Sequence, residues 1–131
     1  MPAKFVPEGH TTVVPYLTVE DAAKCLEFIQ KGFSAGAKEI ERHTAPDGRV
    51  QHAEVKLFDC LLMIGQATGE GKAMPATLYV YVEDVDLTFK SLIEAGAAVI
   101  REPRDEGYGH RTGGVRDPHG NCWWLAHPAG G

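Results

Sequence analysis

Tyr16-Leu17-Thr18-Val19-Glu20-Asp21-Ala22 returns 63 residues later as Tyr79-Val80-Tyr81-Val82-Glu83-Asp84-Val85, and each copy runs from an alternating strand into an amphipathic helix. A second echo follows: Gly36-Ala37-Lys38-Glu39-Ile40 matches Gly96-Ala97-Ala98-Val99-Ile100, now 60 residues apart. The chain is therefore two supersecondary units in tandem. A unit of this size buries its own apolar sheet face poorly, so the two are expected to pair, and the space between two sheets is a natural pocket.

Reading outward from the repeat, Thr11 to Leu17 alternates as a strand. Ala22, Cys25, Leu26, Ile29 and Phe33 then recur at helical spacing, with Asp21 as the cap. Strands follow over 37–44, 51–58 and 60–66, separated by the turn Pro46-Asp47-Gly48 and a tight reversal at Asp59. Residues 67–75 form a linker. Its Gly69-Glu70-Gly71-Lys72 lacks both the spacing and the hydroxyl of a phosphate loop, Ala73 standing where Ser or Thr is required. The second half repeats the order with strand 76–82, helix 84–95, and strands 97–101, 111–116 and 121–126. Residues 102–110 are expected to be a polar loop able to fold over a pocket mouth. The modules span about 10–66 and 76–127 of a single domain.

Composition narrows the function classes. The 131 residues, 44% apolar and 24% charged, suit a globular domain with a sizeable core. No apolar run reaches the ~18 residues of a membrane span, and Met1-Pro2-Ala3-Lys4 leads into no signal-peptide core, so a cytoplasmic location is expected. A formal charge of −5 and the lack of a Lys/Arg patch argue against nucleic acid. Cys25, Cys60 and Cys122 have no paired spacing and read as buried, reduced thiols. No Gly-x-Ser-x-Gly elbow marks a nucleophile.

The tandem βαβββ pattern, His52-Ala53-Glu54-Val55 opening a strand, and Val115-Arg116-Asp117-Pro118-His119-Gly120-Asn121-Cys122-Trp123-Trp124 closing the chain resemble the vicinal-oxygen-chelate superfamily. This superfamily comprises glyoxalase I, bleomycin-resistance proteins and extradiol dioxygenases. Within it the chain is most similar, over residues 10–127, to the PhnB-like branch. The resemblance implies an α+β fold in which two curled mixed sheets surround a cavity, with a helix on the apolar side of each sheet, and it implies a homodimer. It does not by itself decide between enzyme and binder.

Metal-dependent members carry His, Glu or Gln near the start of the first strand and on the last strand of each half. Aligned on the two Glu-Asp pairs and on the turns at Asp59 and Asp117, those positions hold Val14, Met63, Thr77 and Trp124. None is an oxygen or nitrogen donor suited to a hard divalent ion, so the usual metal site, and with it any cofactor, is expected to be absent. An alternative is a divalent metal at a displaced set, His52, Glu54 and His110. His52 and Glu54 share a strand face. The competing reading is a hydrogen-bonded polar set lining a wet cavity.

Tyr16, Tyr79 and Tyr81 share strand parity with Val14 and Thr77 and should face the cavity with Met63 and Trp124, either as ligand-binding walls or as packing between the sheets. Tyr108, His110 and Arg111 complete the ligand-binding candidates. Arg111 could instead be engaged by an internal acid. Trp123, of opposite parity, reads as core, and His10, His119 and His127 as solvated. The expected function is binding of a small organic molecule without a metal. The alternative is a glyoxalase- or dioxygenase-like enzyme, with Glu54 or His52 as the catalytic candidates for a base.

Overall fold

The computed structural model describes residues 5–129. Its elements run β1 (Tyr16–Val19), α1 (Ala22–Gly32), β2 (Ala37–Thr44), β3 (Val50–Leu57), β4 (Cys60–Gln66), β5 (Thr77–Tyr81), α2 (Val85–Glu94), β6 (Ala98–Asp105), β7 (His110–Arg116) and β8 (Cys122–Pro128). The order βαβββ occurs twice, as the repeat predicts. The chain divides into two compact units, the first holding residues through Gln30 and Ser34–Met74, the second Lys31–Phe33 and the residues from Pro75 onward. Each unit carries one four-stranded mixed sheet, ordered β1-β4-β3-β2 in the first and β5-β8-β7-β6 in the second. The first strand of each sheet runs parallel to the last, and the remaining pairs are antiparallel. The registers also repeat: Tyr16 lies opposite Met63, and Tyr79 opposite Trp124.

The repeated Glu-Asp pair starts both helices. Asp21 Oδ1 accepts the backbone N–H of Lys24 at 3.0 Å, and Asp84 Oδ1 that of Leu87 at 3.1 Å, so each carboxylate satisfies a donor that the first helical turn leaves free. On α1 the residues Ala22, Cys25, Leu26 and Ile29 are fully buried, the i, i+3, i+4, i+7 stripe of an amphipathic helix. The first sheet has one buried face (Leu17, Val19, Ala53, Val55, Ile64), and strand alternation puts Tyr16, Thr18, His52, Glu54 and Met63 on the other. In the second unit α2 packs on β6, β7 and β8. Val85, Leu92, Val115, Trp123 and Leu125 form that core, and the Phe33 ring meets Trp123 at 5.3 Å.

The Asp117-Pro118-His119-Gly120-Asn121 turn is fastened from within. Asp117, 3% exposed, accepts four hydrogen bonds: His119 N–H at 2.8 Å and Asn121 N–H at 2.9 Å on Oδ1, and Asn121 Nδ2 at 3.2 Å and the Trp123 indole N–H at 2.8 Å on Oδ2. This motif is structural, and it fixes how β8 leaves the turn.

Three expectations are corrected. The strand expected over 11–17 is only Tyr16–Val19. Pro15 has no N–H to give a ladder, Thr11 Oγ1 bonds the carbonyl of Val13, and Val13 is 81% exposed, so the alternation there is not that of a half-buried strand. The expected polar loop at 102–110 is mostly strand. β6 continues to Asp105 and β7 begins at His110, leaving a four-residue hairpin tip rather than a long flap. Pro103 is tolerated because β6 is an edge strand and bulges there, three residues from Arg101 to Arg104 opposing two from Gly114 to Thr112. The three cysteines form no disulfide with one another, but only Cys25 is buried, with Cys60 and Cys122 half-exposed. Among the described residues no helix is long and apolar enough to cross a membrane.

Candidate functional site

The face of the second sheet opposite α2 gathers most of the candidates. Across it, ladder neighbours form the row Tyr79, Trp124, Gly114, Arg101, and beside it the row Tyr81, Ala126, Thr112, Arg104. Gly114 decides the shape of this surface. A Cβ there would sit 2.5 Å from Trp124 Cζ3, so the missing side chain is what lets the indole lie down on the sheet. Beyond the glycine the Arg101 guanidinium stands over the Trp124 ring, 5.1 Å from its centroid.

Arg101 is held at one edge. Its Nη2 donates to Thr112 Oγ1 and pairs with Glu106 Oε1 at 2.8 Å. The same Glu106 oxygen accepts from Thr112 Oγ1 at 2.9 Å and from Arg104 Nε at 3.1 Å. The Thr112 hydrogen bond, followed by that from Arg104, holds the Glu106 carboxyl below the ordinary carboxylate range. Among the described residues of this unit, two buried side-chain atoms have no hydrogen-bond partner: Arg101 Nε and His110 Nδ1.

The tyrosines continue the surface toward the hairpin tip. Tyr79 and Tyr81 meet edge to face at 5.4 Å, Tyr81 lies 6.2 Å from the His110 ring, and Tyr108 lies 5.4 Å from the same imidazole. Partial burial, then the neighbouring Tyr108 phenol and the hydrogen bond between the two, raise the Tyr79 pKa and keep that hydroxyl protonated. Tyr79, Tyr81 and Tyr108 are 50%, 65% and 65% exposed, so none is core of its own unit. Arg111 is on the other side of β7. Its Nε and Nη2 donate to both oxygens of Asp86 on α2, and its Nη1 to Asp105 at 3.1 Å. The guanidinium is thereby spent on an internal ion pair, which raises its pKa and lowers that of Asp86.

In the first unit, Tyr16 lies over Gly65, where a Cβ would meet its ring and hydroxyl, and its ring is 5.8 Å from that of His52. Met63, half-buried, lies opposite Tyr16 on one side and Glu54 on the other. Glu54, 7% exposed, is shared by two imidazoles: His10 Nε2 at 3.2 Å from Oε1 and His52 Nε2 at 3.4 Å from Oε2. His10, expected to be solvated, is therefore engaged by a residue 44 positions away, and the segment before β1 is tied to the sheet. A shallow pocket of 390 Å³ beside them is lined by Tyr16, Thr18, Gln51, Gln66, Thr68 and Gly71.

The second unit thus brings together Tyr79, Tyr81, Tyr108, His110 and Trp124, and the first Tyr16, His52, Glu54 and Met63. Arg111 stands apart. Sequence reasoning missed Arg101, Arg104, Glu106 and Thr112; the bulge at Pro103 breaks the count that would place Arg101 opposite Gly114 and Arg104 opposite Thr112.

The chain is thus two tandem βαβββ units, each with an aromatic ring laid over a glycine on one face of its sheet. The family model for the Glyoxalase/Bleomycin resistance protein/Dioxygenase superfamily matches residues 8–125, and the chain belongs to that superfamily. An uncharacterised protein of Mycobacterium bovis is 34% identical over 125 residues, 87% of this chain and 81% of that protein. An uncharacterised protein of Mycobacterium tuberculosis is also 34% identical over 125 residues, with 72% of its length covered. Among solved structures, TioX from Micromonospora sp. ML1 superposes with a TM-score of 0.76 at 22% identity, covering 90% of this chain and 98% of that one. The PhnB protein from Bacillus cereus gives 0.66 at 17% identity, covering 88% and 98%. At such identities these structures show the fold alone.

The superfamily's metal does not fit the residues at its usual positions. Val14 precedes β1, Thr77 begins β5, Met63 offers a thioether, and the Trp124 indole lies flat against Gly114 with no lone pair to give. Among the described residues no three of His, Cys, Asp and Glu are grouped so as to hold a metal ion. Glu54 has an imidazole on each oxygen, an arrangement that satisfies the carboxylate as a hydrogen-bond acceptor.

Proposed function

We propose that this protein binds a small organic molecule without a metal, on the open face of the second sheet. The observation that carries the reading is the gathering, on one sheet face, of the exposed Tyr79, Tyr81 and Tyr108 with the half-buried His110 and Trp124. Rings with polar tips provide apolar contact area and a few oriented hydrogen bonds, which is what retention of a flat organic ligand requires. The donor set supports the metal-free half of the reading.

Calorimetric titration with a panel of planar natural products tests it. Trp124→Ala removes the central ring and is expected to weaken hits by about 2 kcal/mol, roughly 30-fold. Hits that bind Trp124→Ala as tightly as wild type overturn the site. Protein purified without chelator is expected to carry well under one equivalent of nickel, zinc, iron or manganese. A stoichiometric metal lost on His52→Ala or Glu54→Ala would overturn the metal-free reading and favour the displaced site.

The proposal extends to a cytoplasmic homodimer. The lack of a membrane-spanning helix among the described residues is compatible with the location, and the edge strands that end each sheet support the assembly, since unpaired edges are commonly covered by a partner. Light scattering that returns 14.2 kDa at micromolar concentration would refute the dimer.

A further inference from the structure

Arg101 and Arg104 together make a more specific site than an aromatic wall. The Arg101 guanidinium carbon stands over the Trp124 ring, 5.1 Å from its centroid. One edge is spent on Thr112 and Glu106, and Nε is buried without a partner. The side chain is nevertheless 29% exposed. The surface offered at the centre of the site is thus a positively charged plate backed by an indole. Holding Nε–H without an acceptor carries a desolvation cost, which Trp124 on one side and Glu106 on the other offset by fixing the plate in place.

Arg104 supplies the second element. It reaches the same Glu106 oxygen through Nε alone, is 59% exposed, and no hydrogen bond or ion pair engages its Nη atoms among the described residues. Two guanidinium groups share one carboxylate, so the cluster of Arg101, Arg104 and Glu106 keeps one positive charge. Because both groups touch a single oxygen atom, the plate and the free fork of nitrogens lie within a few bond lengths of each other.

We infer that this site, read as the ligand face proposed above, takes a planar aromatic acid: the ring stacks on the outward face of Arg101, and the carboxylate is bound by the Nη atoms of Arg104. A guanidinium plate favours electron-rich rings, and a guanidinium fork matches a carboxylate's two oxygens. Trp124 keeps its importance, since without the indole the plate has no backing.

The test uses three naphthalenes that differ only in the charged group, 2-naphthoate, 2-naphthylmethanol and 2-naphthylmethylammonium, titrated by calorimetry into wild type, Arg104→Gln, Arg101→Leu and Trp124→Ala. Wild type is expected to bind the acid at least 10-fold tighter than the ammonium compound. Arg104→Gln should bring the three probes to within about 2-fold of one another with the alcohol unchanged, while Arg101→Leu weakens all three. Arg104→Lys and Arg101→Lys, which keep the charge, serve if the larger changes disturb folding: the Arg104 replacement should leave a reduced preference for the acid, and the Arg101 replacement weaker binding of every ring. A wild type that binds the ammonium probe as well as the acid, or a preference that survives Arg104→Gln, overturns the aromatic-acid assignment alone, provided binding still depends on Trp124. If no probe binds wild type, or binding ignores Trp124→Ala, both this assignment and the ligand face fall.

Discussion

Replacing Asp117 by Ala should cost this protein a large part of its stability. The carboxylate is 3% exposed and accepts four hydrogen bonds, two of them from Asn121 and Trp123 side chains that are themselves fully buried. Alanine removes both oxygens at once. A buried donor left without a partner costs about 1–3 kcal/mol, and the indole N–H and the Asn121 amide both lose theirs. Water entering the vacated space would recover part for the turn N–H groups of His119 and Asn121. The expected loss is therefore about 3–5 kcal/mol, against a total stability of order 5–15 kcal/mol for a domain. Asp117→Asn keeps one acceptor but turns an NH2 toward a donor, and should cost about 2–3 kcal/mol. Urea unfolding followed by far-UV circular dichroism measures both. Trp123→Phe provides the coupling control, since it deletes the donor that Asp117 satisfies, so Asp117→Ala should cost about 1 kcal/mol less in that background. An Asp117→Ala protein within 1 kcal/mol of wild type would refute the view that this turn is fastened by its carboxylate.

Two further outcomes are expected. In Gly114→Ala the new methyl would lie 2.5 Å from Trp124, where carbon atoms prefer about 3.5–4.0 Å, so the indole must lift by about 1 Å or more. The weakened contact with Arg101, about 0.5–1 kcal/mol, is offset by the similar gain of Ala over Gly in a strand, and the signature is a changed near-UV circular dichroism spectrum at nearly constant stability. An unaltered spectrum would mean that the indole does not rest on Gly114. Asp86, whose pKa is lowered chiefly by its hydrogen bond from Arg111, stabilises the fold above the unfolded-state value near pH 4 and loses this contribution as pH falls through the lower folded value. The melting temperatures of wild type and Asp86→Asn should therefore converge below about pH 4, and a constant offset from pH 7 to pH 2.5 would contradict the pairing.

Periodicity and capping made the architecture legible. The two Glu-Asp pairs mark both helix starts because a carboxylate placed just before an apolar stripe has a local job that needs no knowledge of the rest of the chain. Strand 60–66 could be read to the residue because Asp59 and the Gly-rich linker bracket it. The failures lie where distant residues decide. Thr11 to Pro15 alternates on paper, but Pro15 has no N–H to give a ladder and Thr11 Oγ1 bonds the Val13 carbonyl, so pairing with β4 begins only where the Pro15 carbonyl accepts from Met63 N–H. Pro103 looks like the end of β6, yet an edge strand accommodates it through a bulge. In the site, strand parity placed Tyr79, Tyr81 and Trp124 on one face. It had no means of finding Glu106 or of separating Arg101, which serves the site, from Arg111, which serves Asp86.

The rings laid over Gly65 and Gly114 bear on how such a protein can change over generations. A side chain gained at position 114 while Trp124 is present meets the indole, and Trp124 shortened while Gly114 remains leaves bare backbone on the sheet face. Because the indole rests where a Cβ at position 114 would lie, a change at either position alters the seat of the other, so the two should drift as a pair. In the first unit the ring comes from β1 and its glycine from β4; in the second the ring comes from β8 and its glycine from β7. The two units thus share one topology while building the same ring-over-glycine contact from different strands, so the pair to watch for joint change is β1 with β4 in one unit and β7 with β8 in the other.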